Sequence, residues 1–114
     1  MAGSIVISRK NVWTIGLHWF TPVIERLRAA YPSILGGENA AIFSPMEEGF
    51  DFINVENLSQ ENFMNFVHIV EQQLTQFSND NSIDKNWQIV LGKSWKNLLD
   101  QLRQDPRYKA AGTG

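Results

Sequence analysis

The sequence of 114 residues contains no cysteine, which excludes disulfide bonds, thiol chemistry and thiolate metal sites. Its apolar runs, such as residues 89–91, are far shorter than the roughly 20 residues that a membrane helix needs. A secretory signal is not expected either, because the polar residues 8–11 interrupt the apolar segment that ends at Ile7. These absences predict a cytoplasmic protein that does not bind a membrane.

Lysine and arginine are absent over a long internal stretch, from Ala29 to Asp84. The flanking segments are basic, with net charges of +3 before the stretch and +4 after it, and the whole chain carries −2. Such asymmetry concerns partners and association rates rather than the fold. The stretch has a net charge of −9 from Glu38, Glu47, Glu48, Asp51, Glu56, Glu61, Glu71, Asp80 and Asp84.

Length and composition predict one globular domain. A chain of 114 residues is near the usual size of a single domain. The hydrophobic share of 43% suffices for one packed core, and the charged share of 19% is too low for a disordered chain. We expect the domain to span residues 1–108, with residues 109–114 as a flexible tail.

Two strands and one helix are predicted in the first third of the chain. Residues 4–8 are rich in β-branched side chains, and residues 12–20 alternate between apolar and polar types. This alternation is typical of a strand, and we expect the two strands to form a hairpin. Thr21 and Pro22 then predict a helix start, with a capping hydroxyl followed by proline at the first helical position. The helix is expected to end at Pro32.

A second hairpin and a long helix are predicted in the middle of the chain. Residues 40–44 and 50–55 are strand-like, and the five residues between them have the length of a hairpin loop. Ser59 is expected to cap the long helix. The helix itself follows the i, i+3, i+4, i+7 pattern from Phe63 to Phe77.

The last third predicts a short strand at 87–91, broken by Gly92, and a helix capped by Ser94 that ends before Asp105-Pro106. The order ββαββα(β)α gives the α+β fold class, with a small antiparallel sheet made of hairpins and about three helices packed on it. The predicted core consists of Ile24, Leu27, Phe63, Phe66, Val67, Val70, Leu74, Trp95, Leu98, Leu99 and Leu102.

Catalytic and metal-binding patterns are weak. His18 and His68 are the only histidines, and no spacing joins either one to a set of metal ligands. Glu47, Glu48 and Asp51 are the only acidic group that suggests acid/base chemistry, and neighbours on a hairpin tip do not converge on one substrate atom. We therefore predict no catalytic residue, no metal and no cofactor.

Nucleic acid and nucleotides are also disfavoured as ligands. Gly36-Gly37 lacks the spaced glycines and the lysine of a phosphate-binding loop. Lys93, Lys96, Arg103 and Arg107 form at most a small basic patch in a chain with an isoelectric point near 5.6. We expect a basic protein partner instead.

The predicted partner-binding site lies around the second hairpin. Carboxylates there would meet a basic partner, and an aromatic side chain inside a charged rim is typical of a binding hot spot. Phe50 and Phe52 share one face of their strand and Asp51 lies on the other, so alternation leaves either face as the exposed one. The predicted site consists of Glu47, Glu48, Phe50, Asp51, Phe52 and Glu56.

Two segments resemble a known group of proteins. Residues 59–63 (SQENF) open an amphipathic helix, and the pattern Trp95-x-x-Leu98-Leu99-x-x-Leu102 leads into residues 105–108 (DPRY). In these features, and in size and acidity, the chain resembles the immunity proteins of bacterial toxin systems, in particular contact-dependent growth inhibition. The resemblance implies a cytoplasmic protein that binds one cognate toxin domain, often a nuclease, and covers its active site. It assigns no contact residue.

Two other functions stay open on the sequence alone. Apolar strand faces could pair with another protein, as in a subunit or adaptor of a bacterial assembly. A small enzyme of an unrecognised class is the third reading, although nothing in the sequence meets the geometric requirements of an active site.

Phe66 provides a test of the predicted helix faces. If its ring lies in the core, Phe66→Ala should lower the free energy of unfolding by about 3–5 kcal/mol, because it removes buried apolar contacts and leaves a cavity. Denaturant-induced unfolding measures this loss. A change below about 0.5 kcal/mol, which is usual for surface substitutions, would contradict the assignment.

Overall fold

The structure is a computed structural model that describes residues 2–31 and 37–108. The predicted tail at 109–114 lies outside this range. The described residues form three strands and five helices, which confirms the α+β class. In chain order these are β1 (Ala2–Ser8), β2 (Asn11–Gly16), α1 (Leu17–Ala30), α2 (Glu38–Ala41), α3 (Ser44–Glu47), β3 (Phe52–Asn54), α4 (Gln60–Ser78) and α5 (Lys85–Arg103).

The sheet has the strand order β2-β1-β3. β1 and β2 form the predicted antiparallel hairpin, with Ile5 opposite Trp13. β3 lies on the other side of β1 and is parallel to it, with Ile5 opposite Ile53. The sheet is therefore mixed rather than antiparallel. A parallel neighbour requires a crossover, and α1, α2 and α3 supply it.

The second predicted hairpin is wrong. Residues 40–44 were expected as a strand, but they belong to α2, a turn and the start of α3. Strand structure near the predicted 50–55 is limited to Phe52–Asn54. The apolar side chains Ile42 and Phe43 that suggested a strand are buried as part of this crossover. A short apolar run does not by itself distinguish a strand from a buried helical segment.

Helix α1 begins at Leu17, five residues before its predicted first residue, Pro22. Residues 17–20 were assigned to a strand, but they form the first turn of α1, and Pro22 lies inside the helix. Thr21 is not a cap, since its hydroxyl donates to the carbonyl of Leu17 at 3.1 Å. Alternation and helical spacing overlap here, because Leu17, Phe20 and Ile24 also fall on one helical face. Burial of the Phe20 ring decides between them.

Gly3 permits the close packing of α1 on the sheet. A Cβ atom built at Gly3 would lie 2.2 Å from ring atoms of Phe20, which is fully buried. Any other residue at position 3 would therefore clash with the ring. This contact fixes where α1 crosses β1.

The strand predicted at 87–91 is wrong as well, because α5 runs without a break from Lys85 to Arg103. The carboxylate of Asp84 caps it by accepting from the backbone N–H groups of Asn86 and Trp87. Gly92 does not end a strand, and Ser94 is not a cap. The helix is stabilised by burial of its apolar face at Leu91, Trp95, Leu98, Leu99 and Leu102.

The predicted helix α4 and the predicted core are confirmed. The hydroxyl oxygen of Ser59 accepts from the N–H of Asn62 at the start of α4. All eleven predicted core residues are buried, and Phe66 is fully so. The core sits between α1, α4, α5 and the inner face of the sheet. The indole N–H of Trp95 donates to the carbonyl of Val70 at 3.1 Å, which links α5 to α4.

The side chain of Arg107 holds several segments together beyond the end of α5. Its guanidinium donates to main-chain carbonyls on β1 and on the segment after β3. These bonds reach Ile7 at 2.9 Å, Val55 at 2.9 Å, Glu56 at 3.2 Å and Leu58 at 3.0 Å.

Asp105 and Phe63 complete the surroundings of this guanidinium. The carboxylate of Asp105 accepts from Nε of Arg107 at 2.9 Å and from Nη2 at 3.0 Å. The guanidinium also lies over the ring of Phe63, 4.2 Å from its centroid. Burial raises the pKa of Asp105, but the hydrogen bonds and charge of Arg107 outweigh burial and leave that pKa below its usual value.

Arg107→Lys should lower the free energy of unfolding by at least about 2 kcal/mol. A lysine keeps the charge but has no planar fork of donors, so several carbonyls lose their partner at about 1–3 kcal/mol each where they are buried. The control is Arg103→Lys, whose exposed ion pair with Glu71 spans 4.0 Å and is worth at most about 1 kcal/mol. Equal losses in thermal or denaturant unfolding would contradict this role.

Asp105 should make the stability depend on pH in the acid range. Its pKa is lower in the folded state than in the unfolded state, so its contribution is present above the unfolded pKa, near about 4, and is lost as the pH falls through the folded value. Unfolding measured from neutral pH downward should show this loss, and Asp105→Asn should flatten the profile at its acid end. Parallel profiles for the two proteins would argue against it.

Candidate partner-binding site

Residues 47–52, which we call the Phe50 loop, connect α3 to β3. Pro45 lies at the start of α3, and the N–H of Phe50 donates back to the Pro45 carbonyl at 2.9 Å. Gly49 has a φ of 92°, a left-handed conformation that few other residues adopt. The N–H of Ser4 donates to the carbonyl of Asp51 at 3.0 Å and attaches the loop to β1. The loop is thus held at both ends.

The aromatic side chains of this loop point away from the core. Ile53 and Val55 are fully buried, whereas Phe50 is 56% exposed and Phe52 is half-buried. The two phenyl rings lie 5.9 Å apart between centroids. Of the two faces that alternation left open, the face with Phe50 and Phe52 is therefore the outer one. The exposed ring of Phe50, next to the half-buried ring of Phe52, provides an apolar centre for a contact.

The carboxylates around these rings differ in their surroundings. Glu47 is exposed and accepts from the guanidinium of Arg28 at 2.7 Å. Glu48 is exposed and Asp51 is half-buried, and neither has an ion pair within residues 2–31 and 37–108. The uncompensated negative charge of the loop consequently rests on Glu48 and Asp51.

Glu56 lies apart from the other five predicted site residues. The N–H of Val55 donates to the Val6 carbonyl, which places Glu56 beyond the far end of β3. A strand advances by about 3.3 Å per residue, so roughly 15 Å separate Asp51 from Glu56. There Glu56 shares a surface concavity of about 530 Å³ with Arg9 and Lys10. The structure therefore brings together residues 47–52 and separates Glu56 from them.

The fold compensates part of the acidic stretch with arginines from outside it. Two of these pairs link α1 to later segments, and all three are exposed enough to contribute little to stability. Sequence reasoning missed them because each partner lies outside the stretch. The pairs are Arg28 with Glu47 at 2.7 Å, Arg26 with Asp80 at 3.7 Å and Arg103 with Glu71 at 4.0 Å.

Among the described residues, no group of three or more histidine, cysteine, aspartate or glutamate side chains could hold a metal ion. In the same part of the chain, no helix is long and apolar enough to cross a membrane. His18 packs edge-on against Trp19 at 4.9 Å between centroids, and His68 is exposed on α4.

A cluster of aromatic rings lies between α1 and α5. Trp19 and Trp87 lie 4.7 Å apart between ring centroids, and both are half-buried. Both residues were predicted to lie on strands, where no contact between them was expected. Helical positions at the first turns of α1 and α5 bring them together, and the contact helps to dock one helix on the other.

Comparison with known proteins gives consistent similarities. No family model matches the chain. It is 27% identical over 113 residues to a protein named Immunity protein CdiI from Burkholderia pseudomallei, covering 98% of this chain and 99% of that protein. A chain from the solved complex of a Burkholderia pseudomallei CdiA-CT toxin with its cognate CdiI immunity protein superposes with a TM-score of 0.77 and 25% identity, covering 92% of this chain and 97% of that one. The resemblance to toxin-immunity proteins is confirmed.

Proposed function

We propose that this chain is an immunity protein that binds a cognate toxin domain and neutralises it, acting in the cytoplasm and without catalysis of its own. The observation that carries the proposal is the similarity to Immunity protein CdiI, which extends over 98% of this chain and 99% of the relative. The solved complex supports the partner class, because it joins an immunity protein to its cognate toxin.

The Phe50 loop is the surface that we assign to this contact. Glu48 and Asp51 provide negative charge without an internal partner, and Phe50 provides an exposed ring at the centre. A basic partner would be drawn in by the charges and held by burial of the ring. Glu56 would take part only at the periphery, because it lies at the other end of β3.

A nuclease is the class of toxin that suits this surface best. A nuclease presents a basic cleft to the phosphates of its substrate. An acidic protein surface that enters such a cleft associates quickly and competes directly with the nucleic acid. Inhibition would then follow from occupancy of the cleft alone.

Growth protection tests the proposed function. A toxin-like reading frame would be sought next to the gene of this chain and expressed in a bacterial host, alone and together with this chain. Co-expression should restore growth, and the two purified proteins should form a complex in calorimetry. Continued growth arrest without complex formation would reject the proposal, and co-purification with the parts of a larger assembly would favour an adaptor.

Reversal of the loop charges should slow association with the toxin domain. In the triple variant Glu47→Lys, Glu48→Lys and Asp51→Lys, the on-rate should fall most at low salt. At physiological ionic strength, screening limits the range of the interaction between exposed charges to about 8 Å. Stability should change by at most about 1 kcal/mol, since the one ion pair lost, with Arg28, is exposed. Stopped-flow or surface-based kinetics at several salt concentrations measure the effect.

The matched control reverses three exposed carboxylates elsewhere, at Glu25, Glu61 and Asp100. It changes the net charge equally, so an effect of overall charge would appear in both variants. Phe50→Ala should instead raise the off-rate. The ring is buried only once the complex has formed, so its loss speeds dissociation rather than slowing association. If the triple variant and the control behave alike, the Phe50 loop is not the contact.

A further inference from the structure

A groove runs along α5 on its side toward the end of α4. Its volume is about 490 Å³. It lies on elements other than those that form the Phe50 loop. The residues of α5 that line it are Lys85, Gln88, Ile89, Gly92, Lys93 and Lys96.

Gly92 forms the floor of this groove and is not required by the fold. The residue is buried in the middle of α5, yet a Cβ atom built there would meet nothing within 4 Å beyond the neighbouring backbone of its own helix. Its φ is not positive, so the backbone does not call for glycine. Glycine inside a helix is less favourable than alanine. The helix therefore carries a destabilising residue whose visible effect is to keep the groove open.

An exposed apolar side chain lies next to this floor. Ile89 is 69% exposed, the largest exposure among the big apolar residues of the described chain. It precedes Gly92 by three positions and thus lies on the same face of α5. The amide of Gln88 fixes the adjoining wall by donating to the carbonyls of Phe77 and Asp80 at the end of α4. An apolar depression results.

The rim of the depression is basic. Lys85, Lys93 and Lys96 surround it, and none of them has an ion pair within residues 2–31 and 37–108. The carboxylate of Asp84, at the start of α5, is engaged by the backbone N–H groups of its own helix, and that of Asp100 lies one turn after Lys96, outside the groove lining. Farther along, Glu71 and Arg103 pair with each other, so the excess positive charge is confined to this part of the groove. An apolar centre with a cationic rim is complementary to an apolar side chain flanked by carboxylates.

We propose that the groove receives a segment of the cognate toxin domain in which one apolar side chain, placed over Gly92 and Ile89, is flanked by aspartate or glutamate residues. The inference rests on the proposed function for the identity of the partner. The exposed isoleucine and the glycine floor favour a protein over a nucleic acid, since a phosphate backbone would gain nothing from an apolar depression. The Phe50 loop is acidic and the groove is basic, so the immunity protein would contact the toxin through two surfaces of opposite charge. A partner whose surface carries charges of only one sign could not fit both.

Filling the groove tests the proposal. Gly92→Leu should raise or leave unchanged the melting temperature, because leucine is the better helix former, and should weaken the affinity for the toxin domain by about tenfold or more. The control is His68→Leu, which adds a leucine at an exposed position of α4 outside the groove and should bind as wild type. Calorimetry on the full chain with the purified toxin domain provides the affinities.

Charge reversal provides a second variant should Gly92→Leu fail to fold. Lys93→Glu with Lys96→Glu should weaken binding by about tenfold and reduce its salt dependence, whereas Arg9→Glu with Lys10→Glu should not. Wild-type binding by both groove variants would overturn this inference and leave the proposed function standing. A wild-type chain that does not bind the toxin domain would reject both. Binding of a single-stranded RNA probe that the lysine reversals abolish, with toxin binding unaffected, would also overturn it.

Discussion

The guanidinium of Arg107 contacts four parts of the chain at the same time. These are β1, the segment after β3, helix α4 and the residues that follow α5. It donates to a carbonyl of β1, to three carbonyls that follow β3 and to the carboxylate of Asp105, and it packs on the ring of Phe63 in α4. Carbonyls at strand ends and turns have no intrinsic partner once water is excluded, and a five-donor side chain can satisfy several of them. Together with the ladder between β1 and β3, these bonds hold β3, and with it the Phe50 loop, in place beside β1.

Sequence patterns were sufficient where local spacing and burial agreed. The long run from Phe63 to Phe77, with a serine cap, has one helical face and no competing period, and α4 forms there. At residues 17–20 both periods fit, and only the buried ring of Phe20 against Gly3, a non-local contact, selects the helix. At Gly92 a residue typical of breaks lies inside a helix, because the apolar faces on both sides of it are buried together. These outcomes are determined by packing between segments that are far apart in the sequence. The spacing of residues along the chain does not predict that packing.

The candidate site shows the same division. Glu47, Glu48, Phe50, Asp51 and Phe52 stay together because they are neighbours in sequence, even though the hairpin predicted for them is absent. The basic side chains near these residues could not be predicted, because they come from other parts of the sequence. Arg28 reaches Glu47 from α1, and Arg9 and Lys10 reach the neighbourhood of Glu56 from the end of β1. The apparent excess of acid over fifty-odd residues is thus partly cancelled by the fold. The remaining negative charge is more local than the sequence indicates.

The parallel pairing of β3 with β1 has a consequence for the order of folding. β1 and β2 are joined by a tight turn and can pair within microseconds, as is usual for hairpins. β3 can pair with β1 only after the long segment that contains three helices has closed into a loop. The conformational entropy of that segment is lost before the contacts of β3 can compensate for it. A strand of three residues gains little from its own ladder. It should therefore form late and open early, so backbone amides of β3 should exchange with solvent faster than those of the hairpin in the intact protein.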